Sequence, residues 1–322
     1  MPPQRTVVNR APEAQCARAV MMIRPVQFVS NPQTAQTNRF QNLAAAPSAE
    51  VAQARALHEF EGLARALGDA GVEVVVFDDT PEPHTPDSIF PNNWVSFHSD
   101  GTVVLYPMHA ENRRAERRVD IISTGLSDAG FLVREVIDLS PHEKEGRFLE
   151  GTGSLILDRV NRIAYACLSP RTDETLLAEF GERFGYSIES FDAVSSDGHA
   201  VYHTNVIMSV GNDMAVFCAD MVPDRKRADA VVASLRDTGH EVVLIDAAQV
   251  NRFAGNVLEL ESRAGEPLLT MSAAAAEAFT QAQRKTIERH AQIVSAPIGN
   301  IELCAGGSVR CMLAEIHLPR KS

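Results

Sequence analysis

The stretch "NVIMSVGNDMAVFCADMVPDRKRADAVVASLRDTGHEVVLI", Asn205 to Ile245, contains one complete structural unit. Two short apolar runs, "NVIMSV" and "MAVFC", flank the turn residues "GND", the spacing of a β-hairpin. An amphipathic, alanine-containing segment follows from Asp224 to Gly239 and ends on the glycine that commonly terminates a helix. The β-branched run "HEVVLI" completes the unit. Its order is strand, strand, helix, strand.

The same order recurs on either side. Helical periodicity predicts further helices over Ser48 to Ala70, Arg113 to Gly130, Asp173 to Gly185 and Ser272 to His290. In "SPRTDET" a threonine is placed to cap the third of these, with acids in its first turn. A strand follows each: "VEVVVF", "FLVREVIDL", "YSIESF" and "HAQIVSA". Paired apolar runs precede three of them, "WVSF" with "TVVLY", "GSLIL" with "RIAYACL", and "NVLEL" with "PLLTM". A supersecondary unit recurring at roughly 60 residues reads as radial repetition. A single open α/β sheet is the plainer alternative. No long linker divides the chain, so residues 1–17 are expected to form a loose N-terminal tail and 18–322 a single α/β domain.

Composition narrows the function. The chain has 322 residues, 45% hydrophobic and 22% charged, an ordinary globular balance with ample core. Its net charge of −12 disfavours nucleic acid and anionic lipid, whose binding depends on Lys and Arg neutralising phosphate. A small molecule is the expected partner. No apolar run reaches the about 20 residues of a membrane-spanning helix. Five cysteines, odd in number and without CxxC spacing, read as reduced cytoplasmic thiols.

Several residues are placed for chemistry. Cys311, in "CAGGSVRCMLAEI", follows two glycines that allow an unusual turn and could present a thiol to a cleft. A nucleophilic thiol needs an imidazole nearby, and His203 in "HAVYHTNVIMSV" stands at the mouth of an apolar strand. Glu150 in "RFLEGTGSLIL" heads another strand, where its charge could face an N–H-rich substrate. Asp87 in "PDSIF" reads either as part of a pocket or as a local turn acceptor. Arg171 in "LSPRTDE" could grip a substrate carboxylate or form a surface ion pair. His199 and His203 are four apart, but the segment has strand character and lacks the glutamate of a zinc helix. No metal or organic cofactor is expected. Cys16, Cys167, Cys218 and Cys304 read as small buried hydrophobes.

Taken in order, "TPDSIFPNNW", "LEGTGSLIL", "LSPRTDE", "VYHTN" and "GGSVRCM" resemble the motifs of the guanidino-group-modifying, or pentein, superfamily. The likeness runs from about Met21 to the end and is similar to the amidinotransferase and arginine deiminase relatives, most of all the citrulline utilisation hydrolases. The resemblance implies a five-bladed α/β propeller. It also implies Cys311 as nucleophile, His203 as general acid and base, Glu150 and Asp87 in the pocket, and Arg171 on the substrate's α-carboxylate.

Where arginine deiminases carry a second guanidinium-binding Asp, this chain has Asn93, with Asn92 beside it. A guanidinium is donor-only and positive, whereas a ureido group is neutral and has one carbonyl acceptor. The amide therefore points to a ureido carbon, with hydrolysis of citrulline to ornithine, ammonia and carbon dioxide as the expected reaction. The rival readings are an arginine dihydrolase, a deiminase or dimethylarginine hydrolase, an amidinotransferase, and a non-catalytic propeller scaffold. A homodimer is compatible with all of them.

Overall fold

The computed structural model describes residues 13–321. It contains five three-stranded sheets, each with an antiparallel pair followed by a parallel pair. Ile156–Asp158, Ile163–Cys167 and Ser187–Phe191 form one blade. Met208–Val210, Met214–Phe217 and Glu241–Leu244 form the next. Leu258–Glu261, Pro267–Ser272 and Gln292–Ala296 follow, and Val95–Phe97, Thr102–Leu105 and Glu135–Asp138 precede them. The fifth blade joins the two ends of the chain. Ala19–Arg24 lies parallel to Glu73–Asp78, and Ala314–Glu315 pairs antiparallel on its other side. The fold is the α/β propeller expected from the repeat.

A parallel strand pair needs a long crossover, and helices supply it. Ala49–Asp69 buries Ala52, Ala56, Phe60, Leu63 and Leu67, one face at helical spacing. Glu174–Phe184 and Arg225–Asp237 do the same for their blades. Two expectations need correction in detail. Thr172 does not cap the helix after it; Asp173 does, accepting from the Leu176 amide. The segment Ser272 to His290 is two helices, Ala273–Ala278 and Gln281–His290. Phe279 turns extended and is buried, and Thr280 opens the second helix with a capping box to Gln283.

The predicted helix Arg113 to Gly130 starts late and is irregular. Glu111–Glu116 is a 3-10 turn, and residues 119–120 and Leu126–Asp128 are α-helical on either side of a π turn, Ile121–Gly125. Tertiary partners outbid propensity here. Arg113 is drawn inward to Asn93 and Glu116, and Arg117 to the Tyr106 carbonyl and Glu143. Gly125 lies so close to Phe77 that a Cβ would stand 2.6 Å from the ring.

The boundary of the expected tail also moves. Residues 1–12 lie outside the described residues, but Glu13, Gln15, Cys16 and Ala17 are buried. Gln15 donates to the carbonyls of Leu157 and Val210 and accepts from the Arg159 amide, tying two neighbouring blades together. Glu13 accepts from the Ser99 amide and Tyr186 hydroxyl and pairs with Arg159 at 3.1 Å. This strap crosses one end of the propeller. Among the described residues, no helix is long and apolar enough to cross a membrane.

Candidate active site

In four blades a tight helical turn comes immediately before the first strand, and these turns carry the chemistry. Pro91–Asn93 precedes Val95–Phe97, Gly151–Ser154 precedes Ile156–Asp158, Thr204–Val206 precedes Met208–Val210, and Val309–Met312 precedes Ala314–Glu315. In the fifth blade the bend at Phe253 to Asn256 occupies the same place. The turns pack on one another around the axis. Each blade thus presents a polar side chain to the centre: Asn93, Glu150, His203 with Asn205, Asn256, and Cys311.

His203 is buried, and its Nε2 lies 2.8 Å from Glu150 Oε2. Glu150 is fully buried and also accepts from the His109 amide at 3.0 Å. Burial alone would raise its pKa; the Arg171 charge, the His203 bond and Arg113 outweigh this and hold the carboxyl well below the usual range. An ionised carboxylate only accepts, so the bond requires His203 to carry its proton on Nε2, leaving Nδ1 as the basic nitrogen. Burial pushes the imidazole down to about 4, against the opposing pull of Glu150. It is neutral at pH 7.

Cys311 is 3% exposed, and its Sγ faces two amide donors, Asn205 Nδ2 at 3.4 Å and Asn256 Nδ2 at 3.2 Å. Both amides thus point an N–H at the sulfur. Cys311 and His203 line a common small cavity with Asp87, Asn93, Arg113, Arg171 and Tyr202. Asp87 Oδ2 accepts from Asn31 and Thr34, while its Oδ1 is buried without a hydrogen-bond partner. A buried lone carboxylate oxygen in a cavity wall is matched by a ligand N–H.

The two asparagines differ. Asn93 lines the cavity, and Asn92 lies behind it with its Oδ1 accepting from Asn93 Nδ2 at 3.0 Å and its Nδ2 donating to Thr152. Of the two candidate substrate contacts, which the sequence leaves undistinguished, Asn93 is the one at the cavity and Asn92 supports it. Arg171 lines the cavity too, but it is already engaged. Its guanidinium already donates to Thr37, the Thr34 carbonyl and Glu150, and its face lies 4.9 Å from the Tyr202 ring. A substrate carboxylate would have to displace Thr37 or Thr34. His199 and His203 diverge, the first meeting Arg39 at the surface and the second Glu150 in the core.

Sequence reasoning missed Arg113, Glu116, Asn205, Asn256 and Gly153. Arg113 is 2% exposed, forms a two-bond fork with Glu116 and donates to Asn93 Oδ1 at 2.8 Å. A Cβ on Gly153 would stand 2.6 Å from Asn93 Nδ2 and 2.7 Å from His203 Nδ1, so only glycine leaves room for both groups. The blade repeat was the available signal for Asn205 and Asn256, which lie in the turns just before the first strands of their blades.

A model of the family described as N,N dimethylarginine dimethylhydrolase, eukaryotic, matches residues 24–318. The chain belongs to this family. The curated proteins contain no match to the chain. Among solved structures, the apo form of ArgZ, an arginine dihydrolase from the ornithine-ammonia cycle in cyanobacteria, superposes with a TM-score of 0.72 at 15% identity. That match covers 94% of this chain and 41% of ArgZ. This chain therefore spans about two fifths of full-length ArgZ. The substrate-bound N-terminal domain of ArgZ matches at 0.69 and 15%, over 93% of this chain and 99% of that one. A dimethylarginine dimethylaminohydrolase variant, as its adduct with S-methyl-L-thiocitrulline, matches at 0.61 and 15%, over 92% and 99%. At these identities the structural matches establish the pentein fold, and the family model places the chain within the superfamily.

Proposed function

We propose that the protein is a cysteine hydrolase acting on the amidino carbon of an arginine-type amino acid, and that it carries the reaction on through a ureido stage to ornithine. The observation that carries this reading is the convergence of Cys311, the His203–Glu150 pair and the unpartnered Asp87 oxygen on one cavity. In the first half, Cys311 sulfur bonds to the guanidino carbon and a terminal C–N bond breaks. Ammonia leaves with a proton supplied through His203. Water, deprotonated by His203, then attacks the same carbon, and the S–C bond breaks to release the thiolate and a ureido product.

The second half repeats this on the ureido carbon with the side-chain nitrogen as leaving group, giving ornithine and a carbamate that decomposes to ammonia and carbon dioxide. Free citrulline would enter at this point. Asn93 supports the ureido stage, because its amide is neutral where a second carboxylate would favour a guanidinium. That ArgZ is an arginine dihydrolase, and that the family is one of dimethylarginine hydrolases, favours an arginine-type substrate over citrulline alone.

The test is product analysis by mass spectrometry, with arginine, citrulline and N,N-dimethylarginine offered separately to the protein and to Cys311→Ala. Ornithine from both arginine and citrulline, absent in the variant, is the expected result. Citrulline accumulating from arginine or dimethylarginine would restrict the enzyme to the first half. Turnover by Cys311→Ala at the normal rate would remove the covalent mechanism.

A further inference from the structure

Asn93 is held between two opposed partners. Arg113 donates to its Oδ1 at 2.8 Å, and Asn92 Oδ1 accepts from its Nδ2 at 3.0 Å. A guanidinium has no acceptor, so Oδ1 must face Arg113 and the amide cannot be turned over without placing an NH2 group against five N–H donors. Its carbonyl is thereby occupied. Of the two N–H groups on Nδ2, one goes to Asn92, and the other is left for the cavity that Asn93 lines.

Arg113 is fixed in turn by Glu116. The carboxylate accepts from Nε and from a terminal nitrogen of Arg113, each at 2.8 Å, in the fork geometry that suits a planar guanidinium. The spacing i, i+3 on the 3-10 turn Glu111–Glu116 brings the two side chains to the same side. The remaining Arg113 donors reach the carbonyls of Asp87 and Phe90, the segment that leads into Pro91–Asn93. Arg113 and Glu116 are both buried.

We infer that Glu116 and Arg113 are positioning residues that lock the Asn93 amide with an N–H toward the substrate, and that this lock makes the site accept a carbonyl-bearing ureido group as well as a guanidino group. The inference rests on the hydrolase reading above and deepens it. A donor at this position complements a ureido oxygen, whereas a guanidinium, which only donates, gains nothing from it. Released from Arg113, the amide would rotate and present Oδ1, which suits a guanidinium N–H and opposes a ureido carbonyl. A mismatched buried polar group weighs heavily on discrimination between such substrates.

The experiment measures kcat/KM for citrulline and for arginine in the wild type, in Glu116→Gln and in Arg113→Lys. Glutamine keeps the shape of Glu116 but loses the charge that anchors the fork. Lysine keeps the charge of Arg113 but cannot hold Glu116 and Asn93 through one planar group. Both variants are expected to lower the citrulline-to-arginine ratio at least tenfold, through kcat on citrulline more than KM on arginine. Equal losses on the two substrates, which a merely structural role would produce, overturn the inference. So does a wild type that consumes arginine but leaves citrulline untouched. A wild type inactive on both substrates removes the hydrolase reading itself and the inference with it; an unchanged ratio in active variants removes the inference alone.

Discussion

His203 Nε2 and Glu150 Oε2 are 2.8 Å apart in a fully buried pair, and the same carboxylate lies 3.4 Å from Arg171 and 3.9 Å from Arg113. One oxygen thus fixes the tautomer of the imidazole and neutralises part of two guanidinium charges. Glu150→Gln keeps the size but weakens both effects. We expect kcat to fall on the order of 10²–10⁴-fold, the range of a general acid–base contribution. Glu150→Ala should in addition cost about 3–5 kcal/mol by leaving buried cations unpaired. Steady-state kinetics and urea unfolding check the two effects separately; normal kcat in Glu150→Gln would contradict the assigned role.

The Cys311 sulfur takes N–H bonds from Asn205 and Asn256. Asn256→Ala removes one donor and should slow alkylation of Cys311 by iodoacetamide several-fold at pH 7, with peptide mapping identifying the modified thiol. An unaltered rate would show that the amide does not act on the reacting sulfur.

Gly153→Ala should fail at the site more than in the fold. The added methyl would meet Asn93 Nδ2 and His203 Nδ1 inside van der Waals distance. Overpacking of this kind costs about 1–3 kcal/mol. We expect a folded protein by circular dichroism with turnover reduced at least a hundredfold, and retained turnover would mean that the His203 ring has room to move.

A buried imidazole makes stability depend on pH. The His203 pKa is lowered from 6.5 to about 4, so the unfolded chain binds more protons between those values. Its contribution, up to roughly 3 kcal/mol, is present above pH 6.5 and lost as pH falls toward 4. The wild type should therefore lose stability relative to His203→Gln as pH falls from 6.5 to 4 in urea titrations; a relative gain over that range would refute the assignment.

The strap at Glu13 to Ala17 predicts that Glu13→Ala is damaging although it lies far along the chain from every catalytic residue. Glu13 pairs with Arg159, which is 2% exposed. Removing the carboxylate leaves that cation buried and should cost about 3–5 kcal/mol. A midpoint of urea unfolding unchanged from wild type would place the strap outside the cooperative core.

What the sequence determined by itself was local and periodic. Alternating apolar residues, "GND"-type turns and helix-stopping glycines specify strands and helices over a few residues each, so four strand pairs and the helices Ala49–Asp69, Glu174–Phe184 and Arg225–Asp237 were legible, as was the radial repeat. Cys311, His203, Glu150, Asp87 and Asn93 were legible as candidates through the ordered set of motifs that resembles the pentein superfamily, not through any one motif alone. What only the tertiary structure decided depends on contacts between distant segments. Ala314–Glu315 is too short to announce a strand, yet it pairs with Ala19–Arg24 because the last blade must be completed by the chain's other end. Arg113 to Gly130 has a helical pattern, but the bonds of Arg113 to Asn93 and Glu116 and of Arg117 to Glu143 hold its first part in a tight turn. Which amide faces the cavity was equally beyond periodicity, since Asn92 and Asn93 are chemically identical. Arg113, 20 residues further along the chain, settles their roles by offering donors that only a carbonyl can accept.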